Sequence, residues 1–211
     1  MKILLLNYEF PPVGGGAGMA TFCLAEALTN LGHQVHVLTS GRMCDPSIER
    51  CNGFTIYRAL SLRKGVHDCG LRGAATYMGF AWPKINALIR NGHYDIFHYF
   101  FSLPTGFLTL LSGGRDSRPY IVSLRGSDVP GYDLFNTKLA LLHCLLKPIT
   151  KKIWRRAKAV VAVTNSLKKV ALATAPDVHI EVIYNGVDSD LFESLYVIHK
   201  DQYCFYETFF S

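Results

Sequence analysis

Long apolar runs are missing from this sequence. The first apolar run covers only residues 3–6, which is shorter than the ~7–15 apolar residues of a signal peptide. The longest apolar stretch, IFHYFFSLPTGFLTLL, contains His98, Ser102 and Pro104 and falls short of the ~20 residues that span a bilayer. We therefore predict neither a signal peptide nor a transmembrane helix, and we expect the protein in the cytoplasm.

Closely spaced cysteines are also missing. The six cysteines show no C-x-x-C pair and no zinc-ligand spacing. Buried free thiols in a reducing compartment are therefore favoured over disulfides. The sequence predicts no metal site, and the six residues are Cys23, Cys44, Cys51, Cys69, Cys144 and Cys204.

Acidic residues are absent from one long segment. No Asp or Glu occurs between Asp133 and Asp177, although nine of the 22 Lys and Arg residues fall there. Removing these nine from the 22 leaves 13 basic residues against 16 acidic ones. This single segment therefore makes the whole chain basic, with a net charge of +6.

A basic helix is predicted inside that segment, with Pro148 in its first turn. At ~100° per residue, residues 148–158 place Ile149, Ile153 and Trp154 on one arc and the basic side chains on the other. Two interpretations stay open. The basic face is either simply solvated, or it anchors the protein peripherally on the anionic inner face of a membrane, with Trp154 and the preceding leucines in the interface. Nucleic acid is disfavoured, because no aromatics interleave with the basic residues. The predicted membrane patch comprises Lys151, Lys152, Trp154, Arg155, Arg156 and Lys158.

Strand-like and helical segments alternate along the chain. Short β-branched segments such as VHVLT, YIVSLRG and AVVAVT have little polar alternation, which is typical of strands covered on both faces. Helical segments of about 18–31 and 74–92 separate such strands. The pattern predicts an α/β fold: a doubly wound, mostly parallel sheet with helices on both faces, like a Rossmann fold.

A glycine cluster, GGGAG, follows the first strand and opens a helix. Glycines at such a junction let the backbone approach a phosphate at the helix N-terminus. A dinucleotide fingerprint requires G-x-G-x-x-G/A, but counting from Gly14 or Gly16 puts Met19 or Thr21 at the last position. The Lys-Ser/Thr of a P-loop is missing too. These mismatches disfavour a dinucleotide-dependent oxidoreductase and an ATP-type cradle.

Five motifs in register resemble those of family-4 glycosyltransferases with the GT-B fold. NYEFPPVGGGAGMATFCLAEALTNLGHQVHVLT is similar to the N-terminal signature of that family. YDIFHYFFSLPTG resembles its D-[IV]-[IV]-H strand, IVSLRGSD its H-G-x-D segment, and AVVAVTNSLKK its next strand and helix. VIYNGVDSDLF is similar to the N-G-V-D-x-x-x-F element that links the two halves. The resemblance covers about residues 2–192.

The resemblance implies a retaining transferase that moves a sugar from a nucleotide-sugar to a glycan or lipid acceptor. It implies no metal and no cofactor besides the donor substrate, and an active site between two Rossmann-like domains. The donor diphosphate is expected at the backbone N–H groups of Gly15 and Gly16, and the acceptor near His98. The candidates for the cleft and the hinge are Ser127, Asp128, Asn185, Gly186 and Asp188.

One position departs from the family pattern. Arg125 stands where the H-G-x-D segment has its histidine. Arg cannot accept a proton, but it can grip a phosphate with two parallel hydrogen bonds. No catalytic residue is therefore assigned, and His98, Arg125 and Asp128 remain the candidates in the cleft.

Structural explanations remain open for each of these residues. His98 can be a satisfied core histidine, Asp128 can cap the following turn, and Asn185-Gly186 forms a turn on any interpretation. Gly15 and Gly16 can simply allow a tight loop.

The second half of the family pattern has no counterpart here. No E-x(7)-E segment follows Val187, and residues 193–211 form an aromatic tail that resembles nothing in the family. We therefore expect one domain over residues 1–192, an atypical tail over 193–211, and no donor domain. Two functions remain open: the acceptor-side domain of a truncated transferase that is inactive alone, or a non-catalytic module that binds a lipid, a glycan or a partner protein.

Overall fold

The computed structural model describes residues 1–111, 118–133 and 135–186. Strands and helices alternate through most of this part of the chain, as the sequence predicts. The strands are β1 Lys2–Leu6, β2 Gln34–Gly41, β3 Ile48–Cys51, β4 Phe54–Leu60, β5 Ile96–Phe100, β6 Tyr120–Leu124, β7 Ala159–Ala162 and β8 Ile180–Val182. The helices are α1 Gly16–Asn30, α2 Gly70–Gly92, α3 Leu108–Leu111, α4 Thr137–Arg156 and α5 Asn165–Thr174, with a 3-10 turn at Thr105–Phe107.

The eight strands form one sheet in the order β3-β4-β2-β1-β5-β6-β7-β8. Every pairing is parallel except that of β3 with β4. From β1 the chain first builds outward through β2, and it then crosses to the other side of β1 to place β5. This crossing makes β1 and β5 the point at which the strand order reverses.

Both faces of the sheet are covered. Alternate residues of β1 enter different apolar clusters: Leu4 and Leu6 pack with residues of α2, whereas Ile3 and Leu5 pack with residues of α1. A third cluster lies between the β6–β8 side of the sheet and helices α4 and α5. The predicted doubly wound α/β fold is therefore confirmed.

The short edge strand β3 is absent from the sequence prediction. Its sequence, IERC, has neither β-branched enrichment nor apolar alternation, and none of its four residues is buried at the edge of the sheet. The missed signal is the Asn52-Gly53 pair behind it. Both residues have positive φ, 45° and 83°, as in a two-residue hairpin turn.

The prediction for α4 is wrong at both ends. Asn136 caps the helix by accepting a hydrogen bond from Leu139 N at 3.1 Å, so Pro148 lies in the helix interior and not in its first turn. At the other end Ala157 is already extended and Lys158 N donates to Tyr120 O at 2.8 Å. Lys158 therefore leads into β7 and does not belong to the helix.

The cysteine prediction is confirmed in one respect and wrong in another. All five cysteines in the described ranges are free thiols. Cys23, Cys44 and Cys144 are exposed, however, and Cys51 and Cys69 are only partly buried. Cys204 and the predicted tail over residues 193–211 lie outside the described residues.

Candidate functional site

The loops that follow β1 and β5 meet where the strand order reverses. In open α/β sheets, ligands bind at the carboxyl ends of the strands at such a point. The rings of Tyr8, after β1, and Phe101, after β5, lie 4.9 Å apart between centroids. Burial raises the pKa of Tyr8, so its phenol stays protonated. The candidate site is therefore the carboxyl-end edge around β1, β5 and β6.

Gly14, in the loop before α1, and Gly18, in the first turn of α1, have clear structural reasons. Gly14 has φ +102°, and a Cβ there would lie 2.6 Å from Glu9 Cβ. A Cβ on Gly18 would lie 3.2 Å from Phe10 N, so this glycine lets α1 approach the loop closely. Both residues shape the loop whatever it binds.

Gly15 and Gly16 have no such reason. Neither has positive φ, and a Cβ on either would meet no atom within 4 Å. Gly16 begins α1, so its N–H belongs to the first helical turn, where backbone donors have no partner within the helix. The space in front of these two residues is open and faces the positive end of the helix dipole.

A carboxylate already stands at this position. Gly15 N donates to Glu9 Oε2 at 3.3 Å, and Glu9 N donates to Asn7 Oδ1 at 2.9 Å. The loop after β4 closes the other side, where His67 Nδ1 lies 2.8 Å from Gly14 O and Arg63 Nη1 donates to Tyr8 O at 3.0 Å. The sequence analysis missed Glu9, Arg63 and His67. Only Glu9 had a signal, because it lies in the short segment between β1 and the glycine cluster.

His98 lies on β5 and pairs in register with Leu5 of β1. Its ring stacks on Phe100 with centroids 4.4 Å apart, and its Nε2 lies 2.7 Å from Ser123 Oγ. Burial, helped by the nearby Arg125 charge, lowers the pKa of His98 to about 3. The imidazole is therefore neutral at physiological pH and fixed by its neighbours.

Arg125 connects three of the predicted site residues. Its guanidinium lies 4.8 Å from the centroid of the Phe100 ring, the same ring that stacks with His98. Its Nη1 donates to Asn185 Oδ1 at 2.7 Å. Burial lowers the pKa of Arg125, and the Asp128 charge opposes this. His98, Arg125 and Asn185 are thus brought together. Gly186 is exposed, and Asp188 lies outside the described residues.

Asp128 does not line an open cleft, contrary to the prediction. It is only 2% exposed, and its carboxylate accepts from Ser102 N at 2.6 Å, Arg125 N at 2.9 Å and Gly126 N at 3.0 Å. Burial raises the pKa of Asp128, and these N–H donors oppose the shift. Its role is to join the loops after β5 and β6, whereas Ser127 beside it is exposed.

Trp154 does not belong to a membrane patch, and this corrects the prediction. It is 1% exposed and donates from Nε1 to Ser102 Oγ at 2.7 Å, which attaches α4 to the Asp128 network. The apolar arc found in the sequence faces the core and not the outside. Arg155 forms a two-bond ion pair with Asp177 (2.7 and 3.1 Å), and Lys151 is partly buried. Lys152, Arg156 and Lys158 are exposed.

The described ranges hold neither a cluster of metal-ligand side chains nor a membrane-spanning helix. Residues 1–111, 118–133 and 135–186 contain no group of three or more His, Cys, Asp or Glu side chains placed to hold a metal ion. Within the same ranges, no helix has the length and apolar character needed to cross a membrane.

Comparison with known proteins points to one family. The model of Glycosyltransferase Family 4 matches residues 14–191. An uncharacterised glycosyltransferase of Methanocaldococcus jannaschii is 27% identical over 192 residues, which cover 89% of this chain and 47% of that protein. The chain therefore spans about half the length of this curated relative.

Solved structures agree on the fold. Sucrose-phosphate synthase from Thermosynechococcus elongatus matches with a TM-score of 0.74 at 18% identity, covering 90% of this chain and 49% of that one. A glycosyltransferase from Rickettsia africae matches with a TM-score of 0.59 at 20% identity, covering 95% and 49%. In both cases the similarity corresponds to about half of the larger protein.

Proposed function

This chain belongs to glycosyltransferase family 4, and from that premise we propose that it forms the acceptor-side half of an enzyme that transfers a sugar from a nucleotide-sugar to an acceptor. Retention of configuration and independence of metal are carried over from the family resemblance. Contacts to the nucleotide and sugar would come from a second domain. The 211-residue chain by itself would then bind the diphosphate without transferring sugar.

The observation that carries the proposal is the open space at Gly15 and Gly16. Neither glycine has positive φ, and a Cβ on either would meet no atom within 4 Å, yet both stand at the start of a 15-residue helix. Glycine there leaves room for a group outside the chain to approach the backbone N–H donors. A departing diphosphate gains stability from such preorganised donors.

Glu9 and Arg125 have defined parts in this proposal. Glu9 occupies the Gly15 N–H in the unliganded chain, so a diphosphate would displace its carboxylate. Arg125, whose guanidinium lies over the Phe100 ring, would offer the remaining guanidinium N–H groups to a phosphate. His98, being neutral and fixed, would position the acceptor rather than carry charge.

A non-catalytic binding module is the alternative. Such a module would keep the sheet, the Asp128 network and the shape of the loop. It would have no need for bare backbone at Gly15 and Gly16, where alanine fits without contact. The open space therefore favours the enzyme.

Calorimetric titration with inorganic pyrophosphate, UDP and GDP tests the proposal. We expect millimolar or tighter binding, a loss of about tenfold or more in Gly15→Ala and Gly16→Ala, and a gain in Glu9→Gln, because a competing charge is removed. Gly79→Ala is the matched control, since its Cβ also meets nothing within 4 Å but it lies on α2. No release of UDP or GDP from sugar nucleotides is expected in the same preparations.

Three results would contradict the proposal. These are binding that is unchanged in Gly15→Ala, an equal loss in Gly79→Ala, and the absence of any diphosphate binding. Sugar transfer by the chain alone would contradict the requirement for a second domain.

We also propose that the protein acts on the cytoplasmic, anionic face of a membrane and does not bind nucleic acid. The support is the segregation of charge, with nine basic residues and no acidic one between Asp133 and Asp177. Anionic lipid attracts such a segment by ~1 kcal/mol for each basic residue near the surface.

A further inference from the structure

A cleft of about 400 Å³ lies beside α1 at the β3–β4 end of the sheet. Its walls are formed by β3, β4 and α1 and by the loops that follow β1 and β2. Because β1 and β2 are parallel, both loops stand at the carboxyl-end edge of the sheet, on which the candidate site also lies. Gly15, Gly16 and His98 do not line the cleft. It is therefore a separate place on the described part of the chain, and its volume falls in the ~300–1,000 Å³ range of small-ligand sites.

The floor of the cleft is apolar and partly aromatic. Phe10 and Ile56 are buried there, whereas Phe22 of α1 is only partly buried. The rings of Phe10 and Phe22 lie 5.9 Å apart between centroids and pack at an angle. The partly exposed Phe22 ring gives a flat ligand a surface on which to pack.

Arg58 brings a buried charge to this cleft. It is 6% exposed, and its Nη2 donates to Pro11 O at 2.9 Å and to Glu49 Oε2 at 3.0 Å. Its Nη1 is buried too, but it has no hydrogen-bond partner in the part of the chain that the structure describes. A Cβ on Gly41 would lie 2.8 Å from Arg58 Cβ, so this glycine makes room for the arginine. A buried donor without a partner is unfavourable, and an acceptor from outside the chain would satisfy it.

The charges at the cleft balance one another. Arg58 pairs with Glu49 at 3.0 Å, and Arg42 pairs with Asp45 at 3.0 Å. Two cations beside two carboxylates give no advantage to an anionic ligand such as a phosphate. The Glu49 side chain is 40% exposed, so its carboxylate can still accept hydrogen bonds from a ligand. The cleft thus combines a donor that lacks an acceptor, a carboxylate that solvent reaches, and an aromatic surface.

We propose that this cleft is a carbohydrate-binding site that takes one ring of a neutral glycan. The C–H face of a sugar ring is apolar and packs on an aromatic ring such as that of Phe22. Each sugar hydroxyl both accepts and donates, so the hydroxyls match the Arg58 guanidinium and the Glu49 carboxylate. A purely apolar ligand would leave Arg58 Nη1 without an acceptor, and an anion would meet the Glu49 and Asp45 carboxylates.

The place of this glycan in the reaction rests on the proposed transferase function. Phe10 and Pro11 line the cleft, and Gly15 of the diphosphate position follows four residues after Pro11 in the same loop. The glycan is then the acceptor, and the cleft holds a ring other than the one that reacts. The acceptor is accordingly an oligosaccharide and not a single sugar.

Glycan binding tests the cleft. The chain is screened on a glycan array, and maltotriose, cellotriose and chitotriose are titrated by calorimetry beside their monosaccharides. We expect binding of at least one glycan series, and a loss of about tenfold or more in Glu49→Ala and in Phe22→Leu. The matched controls are Glu26→Ala, a partly buried carboxylate of α1 outside the cleft, and Phe80→Leu, an exposed ring on α2.

Arg58 needs a variant that keeps the fold. Arg58→Lys keeps a positive charge near Glu49 but removes the second guanidinium nitrogen. We expect it to retain the urea midpoint of Arg58→Lys combined with Glu26→Ala, and to bind glycan about tenfold more weakly than the unchanged chain. If Arg58→Lys unfolds, Glu49→Ala and Phe22→Leu still decide the proposal, because both side chains are partly exposed.

Cysteine labelling locates the bound glycan. Cys51 lines the cleft and is partly buried, and Cys69 is equally partly buried but lies outside it. The bound trisaccharide should slow the reaction of Cys51 with iodoacetamide, read by mass spectrometry, and leave that of Cys69 unchanged. Inorganic pyrophosphate should protect neither cysteine in this way.

The absence of glycan binding would overturn the proposal, as would undiminished binding in both Glu49→Ala and Phe22→Leu or equal protection of Cys51 and Cys69. Protection of Cys51 by uridine or guanosine, with none by glycans, would assign the cleft to a nucleoside instead. Equal affinity for one ring and for three would overturn the oligosaccharide acceptor alone. Pyrophosphate binding and its dependence on Gly15 are measured separately, so a failure here leaves the proposed transferase function standing.

Discussion

The loop after β1 and the loop after β6 lie at the same edge of the sheet, but they use their polar groups in opposite ways. Around Asp128 three backbone N–H groups, those of Ser102, Arg125 and Gly126, donate to one buried carboxylate. At Gly15 the backbone N–H donates to the Glu9 carboxylate at 3.3 Å, and the space that a Cβ would occupy is open. Two motifs that look alike as binding signatures therefore differ: the carboxylate of one is buried and joins two loops, whereas the backbone of the other is exposed.

Removing the Asp128 carboxylate should have the largest effect. Asp128→Ala leaves three backbone N–H groups without their buried acceptor, and we expect a loss of about 3–5 kcal/mol in the free energy of unfolding. Asp128→Asn keeps one acceptor oxygen and should cost less. Urea unfolding measures both. A loss below about 1 kcal/mol in Asp128→Ala would break the distinction between the two loops.

Gly14 and Gly15 provide a matched pair of substitutions, whose expected effects on stability are smaller than that of Asp128→Ala. Gly14→Ala places Cβ 2.6 Å from Glu9 Cβ at φ +102°, and we expect a loss of about 2 kcal/mol. Gly15→Ala should stay within about 0.5 kcal/mol, because its Cβ meets nothing. The same urea experiment compares the two. Equal losses would mean that Gly15, like Gly14, serves the fold.

Lowering the pH should have the smallest effect on the free energy of unfolding. The group that responds most is His98, whose ring stacks on Phe100. The folded chain lowers the pKa of His98 to about 3, and burial also lowers the pKa of His36 and of His143. Their stabilising contribution is complete above the unfolded pKa near 6.5 and declines as pH falls below it, because the unfolded chain takes up protons first. We expect a loss of about 0.7 kcal/mol from His98 between pH 7 and pH 6, a range in which only the unfolded chain takes up a proton at this histidine. A His98→Gln variant should show a shallower decline, and an identical slope would contradict the assignment.

The sequence carried enough information for the fold and for part of the site. Alternating buried strands and helices predict the doubly wound sheet, because that pattern depends on local periodicity. Edge strand β3 was not predicted, because none of its four residues is buried and a strand without a buried face needs no apolar alternation. The start of α4 was placed too late, because a proline such as Pro148 is common in the first turn of a helix. The helix in fact begins after Asn136, whose side chain caps it.

Which side of a motif faces the ligand could not be predicted. The letters R-G-S-D place Arg125 and Asp128 three positions apart, but only the folded chain shows that one is stacked at the edge and the other buried. Trp154 belongs to the apolar arc in either description. The indole points into the core because its N–H donates to Ser102, which is 52 residues away in the sequence. Such long-range partners leave no local trace in a sequence.

The bond between Trp154 and Ser102 also gives the molecule a built-in optical reporter. The chain has two tryptophans, and the other, Trp82, is exposed on α2. A buried indole emits at shorter wavelength than an exposed one, so the emission spectrum is the sum of two separable components. Loosening the Asp128 network under the Arg125 loop would shift only the short-wavelength component, and the state of that loop can be read by fluorescence without any label.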